Sequence, residues 1–190
     1  MRDASIEDEF KRIMGLPRSE NKDRVHWLKD NLEMDSLLDI GSGLGVFPYS
    51  LKHDFGSITC IEPCVEAAMF IRDSLGISCF IGMYAPETID YPETTVTSLV
   101  HVLEHMPDPM KTLENIKSPN LFIEVPDAVE FETLPKDHDE FNSTHLWFFN
   151  VSTLDRLCRD AGWQPYKIER VHYPERNLSR IRLLAQNAIN

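Results

Sequence analysis

Short apolar runs stopped by glycine or proline alternate along this chain with stretches of helical period. Leu37 to Ile40 is apolar apart from Asp39 and ends at Gly41, the pattern of a buried parallel strand entering a tight turn. Ile58 to Ile61, Ile77 to Ile81, the apolar part of Thr94 to Pro109, and Pro119 to Val125 read as four further strands. Helices are expected between them at Leu44 to His53, at Val65 to Leu75 with Pro63 in the first turn and Gly76 as the stop, and at Pro109 to Lys117 with Leu113 and Ile116 inward. Ahead of the first strand, Ile6, Phe10, Ile13 and Met14 share one face of a helix over Ser5 to Gly15 that Ser5 caps. A second helix, Asn21 to Leu32, would turn Val25, Leu28 and Leu32 inward, with Trp27 to the side. Near the end, Ser152 to Ala161 reads as a helix capped by Ser152 and stopped by Gly162. Alternating runs from Pro165 to Tyr173 and Leu178 to Ala185, separated by Pro174 to Asn177, then fit an antiparallel pair. The predicted fold is α/β: a doubly wound, mostly parallel seven-stranded sheet with N-terminal helices and an antiparallel C-terminal strand pair.

Composition narrows this picture. With 190 residues and 42% hydrophobic content, the chain can bury one sizeable core. It is therefore read as a single domain over 1–190, with helices in 1–33 and an insertion at 127–150. A net charge of -12, from 31 acidic against 19 basic residues, repels a polyanion and counts against nucleic acid as a general partner. Solubility explains the acidity as well. Cys60, Cys64, Cys79 and Cys158 lack the paired spacing of a zinc site and read as reduced core thiols. No apolar run approaches ~20 residues and the N-terminus has no apolar h-region, so a cytoplasmic protein with no membrane contact is expected.

Candidate chemistry begins at Gly41, Gly43 and Gly45. Glycine tolerates positive φ and has no Cβ to hold a ligand off the backbone, and a helix opening there aims N–H groups at whatever binds. The spacing is GxGxG, with Val46 where a dinucleotide fingerprint has its last glycine, which speaks against NAD or FAD. Some twenty residues on, Glu62 closes the second strand at the distance of a ribose-binding carboxylate. A glycine turn of some other doubly wound protein, with Glu62 merely solvated, is the alternative.

The segment Leu38-Asp39-Ile40-Gly41-Ser42-Gly43-Leu44-Gly45 with Glu62 resembles the first two motifs of the class I S-adenosylmethionine-dependent methyltransferases, a Rossmann-like family. The resemblance implies S-adenosyl-L-methionine as cofactor, Gly41 and Gly43 beneath it, Asp39 supporting its methionine end and Glu62 holding its ribose hydroxyls. Ser42 and Gly45 belong to the same cofactor-binding loop. After the third strand, Met83 in Gly82-Met83-Tyr84-Ala85 stands where the family often has Asp or Asn to read the adenine.

The run His101-Val102-Leu103-Glu104-His105-Met106-Pro107-Asp108-Pro109 follows the fourth strand and resembles the fourth motif of small-molecule methyltransferases. Ligands bind at that edge of open α/β sheets. His101 is a candidate for both cofactor contact and catalysis, and His105 for catalysis, because an imidazole of ordinary pKa, about 6.5, accepts a hydroxyl proton at neutral pH. Either histidine could instead settle the loop through backbone hydrogen bonds. No metal is assigned; His101, Glu104 and His105 have ligand-like spacing and form the weaker metal alternative.

From Asp127 to Asn150 the chain loses its period and gains charge and aromatics, among them Glu130, Phe131, Lys136, Asp137, Asp139, Phe141, Phe148 and Phe149. It reads as a substrate lid in which Asp127, His138 and Trp147 contact the acceptor. The stretch His138 to Leu154 resembles a subgroup common among sugar and natural-product methyltransferases, with His145 a further candidate base or a structural loop histidine. Arg170, Arg176, Arg180 and Arg182 read as a solvated face. The expected activity is O-methylation of a sugar or other small polar metabolite by direct transfer, with a histidine removing the proton. The alternatives are a non-catalytic cofactor-binding partner subunit, or a metal-assisted methyltransferase on a catechol or RNA-end hydroxyl. A homo-oligomer or partner subunit is compatible with either.

Overall fold

A computed structural model describes residues 5–16, 20–33, 35–134, 138, 141, 144–174 and 178–188. Lys136, Asp137, Asp139, Arg176 and most of the turn expected at 174–177 lie outside them. The chain forms two compact units, Met1–Val96 and Thr97–Asn190.

The first unit contains α1 (Ile6–Met14), α2 (Glu20–Asn31), β1 (Ser36–Ile40), α3 (Val46–Ser50), β2 (Ser57–Glu62), α4 (Val65–Asp73) and β3 (Ser78–Ile81). β1 pairs with β2, and β2 with β3, both in parallel. Ser5 caps α1 by accepting from the Asp8 N–H, as expected, and Phe10 is its buried residue. The inner face of α2 differs from expectation. It presents Asn21, Arg24, Trp27 and Leu28, leaving Val25 and Leu32 half-buried. The reason is that α2 packs on α3: Asn21 donates to Ser50 Oγ at 2.9 Å, and the Arg24 guanidinium lies 5.8 Å from the centre of the Phe47 ring. The helix expected over 44–53 is only five residues long, starting after left-handed Gly45 as its N-cap and ending at Leu51 as its C-cap. Pro63 precedes α4 rather than entering it; Cys64 is the N-cap, with its N–H taken by Glu62.

The core of this unit gathers Phe10, Cys60, Ile71, Leu75 and Ile77. Gly45 is part of that packing. A Cβ added there would stand 2.8 Å from Ile71 Cγ1 and 2.9 Å from Leu75 Cδ1, at a φ of +75°. The third glycine of the motif is thus required by α4 pressing on the turn.

The second unit holds β4, which starts at the boundary (Val96–Val100), α5 (Pro109–Glu114), β5 (Asn120–Pro126), α6 (Val151–Asp160), β6 (Trp163–Tyr173) and β7 (Leu178–Asn187). Single 3-10 turns cover Leu103–His105 and Ala128–Thr133, the latter inside the stretch expected as loop. α6 is capped by Asn150, not Ser152: its side chain accepts from the Thr153 N–H while Thr153 Oγ1 accepts from the Asn150 N–H. The strand order is β3-β2-β1-β4-β5-β7-β6, with β7 antiparallel to both β5 and β6. This is the mixed, doubly wound, Rossmann-like order expected.

That order overturns the reading of a solvated face for Arg180 and Arg182, whereas Arg170 is exposed as expected. β7 is an interior strand, buried from Leu178 to Ala185, so Arg180 and Arg182 are buried with it. Arg182 opposes Glu124 across the β5–β7 pair and donates to it from Nε at 2.7 Å, while Nη2 donates to the Tyr173 hydroxyl at 2.6 Å. Arg170 reaches the Asp127 carboxylate.

Gly45→Ala is expected to cost about 2–4 kcal/mol, from overpacking plus left-handed strain. Gly43→Ala, where an added Cβ meets nothing within 4 Å, carries only the conformational cost of about 1 kcal/mol. Urea denaturation of the two variants checks this ranking. A pH trend follows from the thiols. Burial raises Cys79 to about 11 and Cys158 to about 12, against an ordinary value of 9.0. The unfolded chain releases these protons first, so their contribution to stability is full below about pH 9 and is lost as pH climbs through 11 and 12. The urea midpoint should fall between neutral pH and about pH 10, and less so in Cys158→Ala.

Candidate active site

In the first unit the chain leaves β1 through a turn in which Gly41, Gly43 and Gly45 have φ of 72°, 55° and 75°. The turn is tied down from one side. Gly41 and Ser42 N–H both donate to the Ile61 carbonyl, at 2.7 and 3.2 Å, and Ser42 Oγ donates to the Asp39 carbonyl at 3.1 Å. Gly43 N–H donates to Glu62 Oε2 at 2.7 Å, and Cys64 N–H to Oε1 at 2.8 Å. Glu62 is therefore buried, at 7% exposure, rather than solvated. Asp39 is buried at the end of β1.

These residues fit an adenosyl ligand. A carboxylate has about four lone-pair sites, and two backbone donors leave room for two ribose hydroxyls. Beside Glu62, Cβ atoms added at Gly43 or at Gly82, whose φ is +138°, would enter open space. Gly82 N–H donates to the Glu62 carbonyl at 3.0 Å, which holds the end of β3 against β2. Met83 is exposed next to this space. Tyr84 and Tyr91 stack behind it with ring centres 5.4 Å apart, and burial pushes the Tyr84 hydroxyl up to about 12. Neither tyrosine was singled out from the sequence, because nothing in it pairs position 91 with the end of β3.

In the second unit, His101 ends β4 in the left-handed region at φ 55°, the one such residue besides glycine among those described. Its N–H donates to the Glu124 carbonyl at 2.8 Å, and Nε2 lies 3.1 Å from Glu124 Oε1. Glu124 is fully buried, shared between His101 and Arg182. Glu124 was not among the candidates and Arg182 was read as solvated; the available signal was a carboxylate inside one apolar run and arginines inside another. The 3-10 turn then carries Glu104, buried to 1%, and the half-buried His105. His105 Nδ1 lies 2.8 Å from the Thr144 carbonyl, so Nδ1 carries the hydrogen and Nε2 the lone pair.

His145 is brought to the same place. Its ring centre is 4.7 Å from that of His105. The loop bearing it is docked by Leu146 and Trp147 N–H on the Glu104 carbonyl, at 2.8 and 3.1 Å, and by Trp147 Nε1 on the Met106 carbonyl at 2.8 Å. The remaining lid candidates are dispersed. Asp127 is buried, with its carboxylate bonded to Arg170 and to the Val129 N–H. His138 is half-buried and its carbonyl accepts from the Phe141 N–H. Phe141, Trp147 and Phe148 are all exposed.

Comparison with known proteins agrees with this geometry. The family model described as "Methyltransferase domain" matches residues 4–168, and the chain belongs to that family. No curated protein matches in sequence. Among solved structures, the chain is similar to an S-adenosylmethionine-dependent methyltransferase from Aquifex aeolicus, at 16% identity and TM-score 0.68, covering 97% of this chain and 100% of that one. It is also similar to a Haloferax volcanii protein solved in complex with the Trm112 methyltransferase activator, at 16% identity and TM-score 0.69, with 94% and 97% covered. A third is the 1,6-didemethyltoxoflavin-N1-methyltransferase of Burkholderia thailandensis, solved with 1,6-didemethyltoxoflavin and S-adenosylhomocysteine, at 17% identity and TM-score 0.69, with 90% and 79% covered. The chain is thus a member of the methyltransferase domain family that shares its fold with these structures.

Arg182→Met should destabilise the protein by about 3–5 kcal/mol, because it strips the buried Glu124 of its strongest partner. Arg182→Met combined with Glu124→Gln should recover a large part of that loss. Denaturant midpoints of the single and double variants measure the coupling.

Proposed function

We propose that this methyltransferase transfers a methyl group to a hydroxyl oxygen of a sugar or other small polar metabolite, with an imidazole removing the hydroxyl proton. Bound S-adenosylmethionine supplies a methyl already activated on a sulfonium, so the chain contributes alignment and proton removal rather than a nucleophile. On the donor side, Glu62 accepts the ribose hydroxyls with the lone pairs its two backbone donors leave open. Asp39 supports the methionine end, Gly41, Ser42, Gly43 and Gly45 shape the loop under it, and Met83 borders the adenine.

The observation that carries the acceptor side is the His105 to Thr144 hydrogen bond. It fixes the tautomer, so that Nε2 takes the proton as oxygen attacks. His145 is the neighbouring imidazole and the alternative acceptor. His101, clamped by Glu124, orients the end of β4 and its contact with the cofactor. Exposed Phe141, Trp147 and Phe148 offer aromatic faces, which suit the C–H faces of a sugar, and His138 and Asp127 complete the lid assignment. The family match runs through both compact units, which supports reading 1–190 as one catalytic domain. Free cysteines fit a reducing, cytoplasmic setting, and among the described residues no helix is long and apolar enough to cross a membrane. A partner subunit is the second reading, supported by the likeness to the Haloferax volcanii protein solved with an activator.

Calorimetric titration with S-adenosylmethionine and S-adenosylhomocysteine should give micromolar binding, about -8 kcal/mol, weakened about tenfold or more in Glu62→Ala. With a sugar acceptor, His105→Asn should lower turnover about 10²–10⁴-fold while donor binding holds. Undiminished turnover in both His105→Asn and His145→Asn would remove the imidazole base.

A further inference from the structure

Residues 82–95, which join β3 to β4, form neither helix nor strand. A connection of that length inside a compact fold is ordinarily either disordered or functional. This one is braced from within by Tyr91. The Tyr91 hydroxyl accepts from the Ala85 N–H at 3.1 Å and donates to the Met83 carbonyl at 3.5 Å, so one phenol bonds the main chain on both sides of Tyr84. Its ring is fixed as well. It meets Phe80 of β3 edge-on, with centres 5.1 Å apart, and stacks on Tyr84 at 5.4 Å. Beyond Tyr84, the Ala85 carbonyl accepts from the Thr88 and Ile89 N–H groups, both at 3.0 Å, which closes the turn that leads the chain back to Tyr91.

The braced segment starts at Glu62. Gly82 N–H bonds the Glu62 carbonyl, and the Glu62 carboxylate is in turn oriented by the Gly43 and Cys64 N–H groups. A Cβ added at Gly82 would enter open space, and the next side chain, Met83, is 55% exposed. The Met83 carbonyl is taken by Tyr91, whereas its N–H bonds to no other described residue. One short stretch thus offers a ring beside Glu62 an unobstructed backbone, a main-chain donor and a polarizable thioether that packs well against an aromatic face.

We propose that Tyr91 is a positioning residue for the base of the cofactor: through the Ala85 N–H and the Met83 carbonyl, its hydroxyl fixes the Met83 N–H and thioether against the adenine. This role rests on the donor side proposed above, where Glu62 holds the ribose and Met83 borders the adenine. Tyr91 touches no ligand atom. It acts through Met83, in the way that a support behind a binding group sets that group's position. The chemistry favours adenine over its deaminated form. Adenine offers the N–H a ring-nitrogen acceptor beside its amino group, where hypoxanthine carries an N–H donor, and two donors face to face leave both unsatisfied.

Tyr91→Phe keeps both ring contacts and removes only the hydroxyl. The full-length parent and this variant are titrated calorimetrically with S-adenosylhomocysteine and with S-inosylhomocysteine, its deaminated counterpart, and thermal unfolding of the ligand-free proteins is recorded alongside. The parent should prefer the adenosyl ligand by about tenfold or more. In Tyr91→Phe the affinity for S-adenosylhomocysteine should fall about fivefold or more, while that for S-inosylhomocysteine changes by less than about twofold, so the preference shrinks. Glu62→Ala should weaken both ligands by a similar factor, because the ribose is common to them. A hydroxyl that merely supports the loop would lower Tm or weaken both ligands alike and leave the preference intact. That result overturns the positioning role, as does a parent that binds the two ligands equally, and both leave the ribose site standing. A folded parent that binds neither ligand overturns the donor side itself, and the role of Tyr91 with it.

Discussion

The turn between β1 and α3 is the constraint on which the first unit depends. The chain must leave a buried strand, pass close enough to β2 to bond the Ile61 carbonyl twice, and start a helix within five residues. Left-handed backbone at three alternating positions accomplishes this, and side chains there would be strained. The glycines do different work. Gly45 lets Ile71 of α4 and Leu75 just beyond it close on the turn, whereas Gly43 borders open space and lends its N–H to Glu62. The backbone donors that bury Glu62 thus also orient it, and the binding role proposed for it uses the lone pairs they leave open.

The second unit solves a different problem, that of ionic groups inside a sheet. Glu124 and Arg182 face each other across β5 and β7, where burial would be prohibitive for either alone. Their pairing leaves Glu124 Oε1 for His101, and this hydrogen bond joins the backbone bond already holding the left-handed end of β4. The chain emerges from that kink into the 3-10 turn of Glu104 and His105. A buried ion pair thereby sets the start of the segment that carries the candidate chemistry, an indirect role visible only as a chain of contacts.

Membership of the methyltransferase domain family leaves the acceptor side to the chain's own residues. There the His145 loop is latched onto the Glu104 carbonyl, and the rings of His105 and His145 lie 4.7 Å apart beside the buried Glu104 carboxylate, which His101 Nδ1 approaches to 3.6 Å.

Strand and helix identities were legible in the sequence wherever they rest on local periodicity: Leu37 to Ile40 as a buried strand, Ile6 to Met14 as a capped helix, the alternating runs at the end as an antiparallel pair. The glycine turn was legible too, because left-handed glycines at fixed spacing are a property of a short segment, and so was Glu62 as the carboxylate that closes β2. Tertiary structure decided the rest. Arg180 and Arg182 look like surface residues along the chain, but β7 is an interior strand, and strand order is a long-range outcome. Asn21 and Arg24 turn inward because α3 offers Ser50 and Phe47 to the polar face of α2, and Trp27 is buried on that helix with them. His145 joins His105 and Glu104 across some forty residues through backbone hydrogen bonds, which side-chain identity does not encode. Local pattern specifies conformation, whereas proximity of distant charges depends on how the elements pack, and the candidate chemistry resides in that proximity.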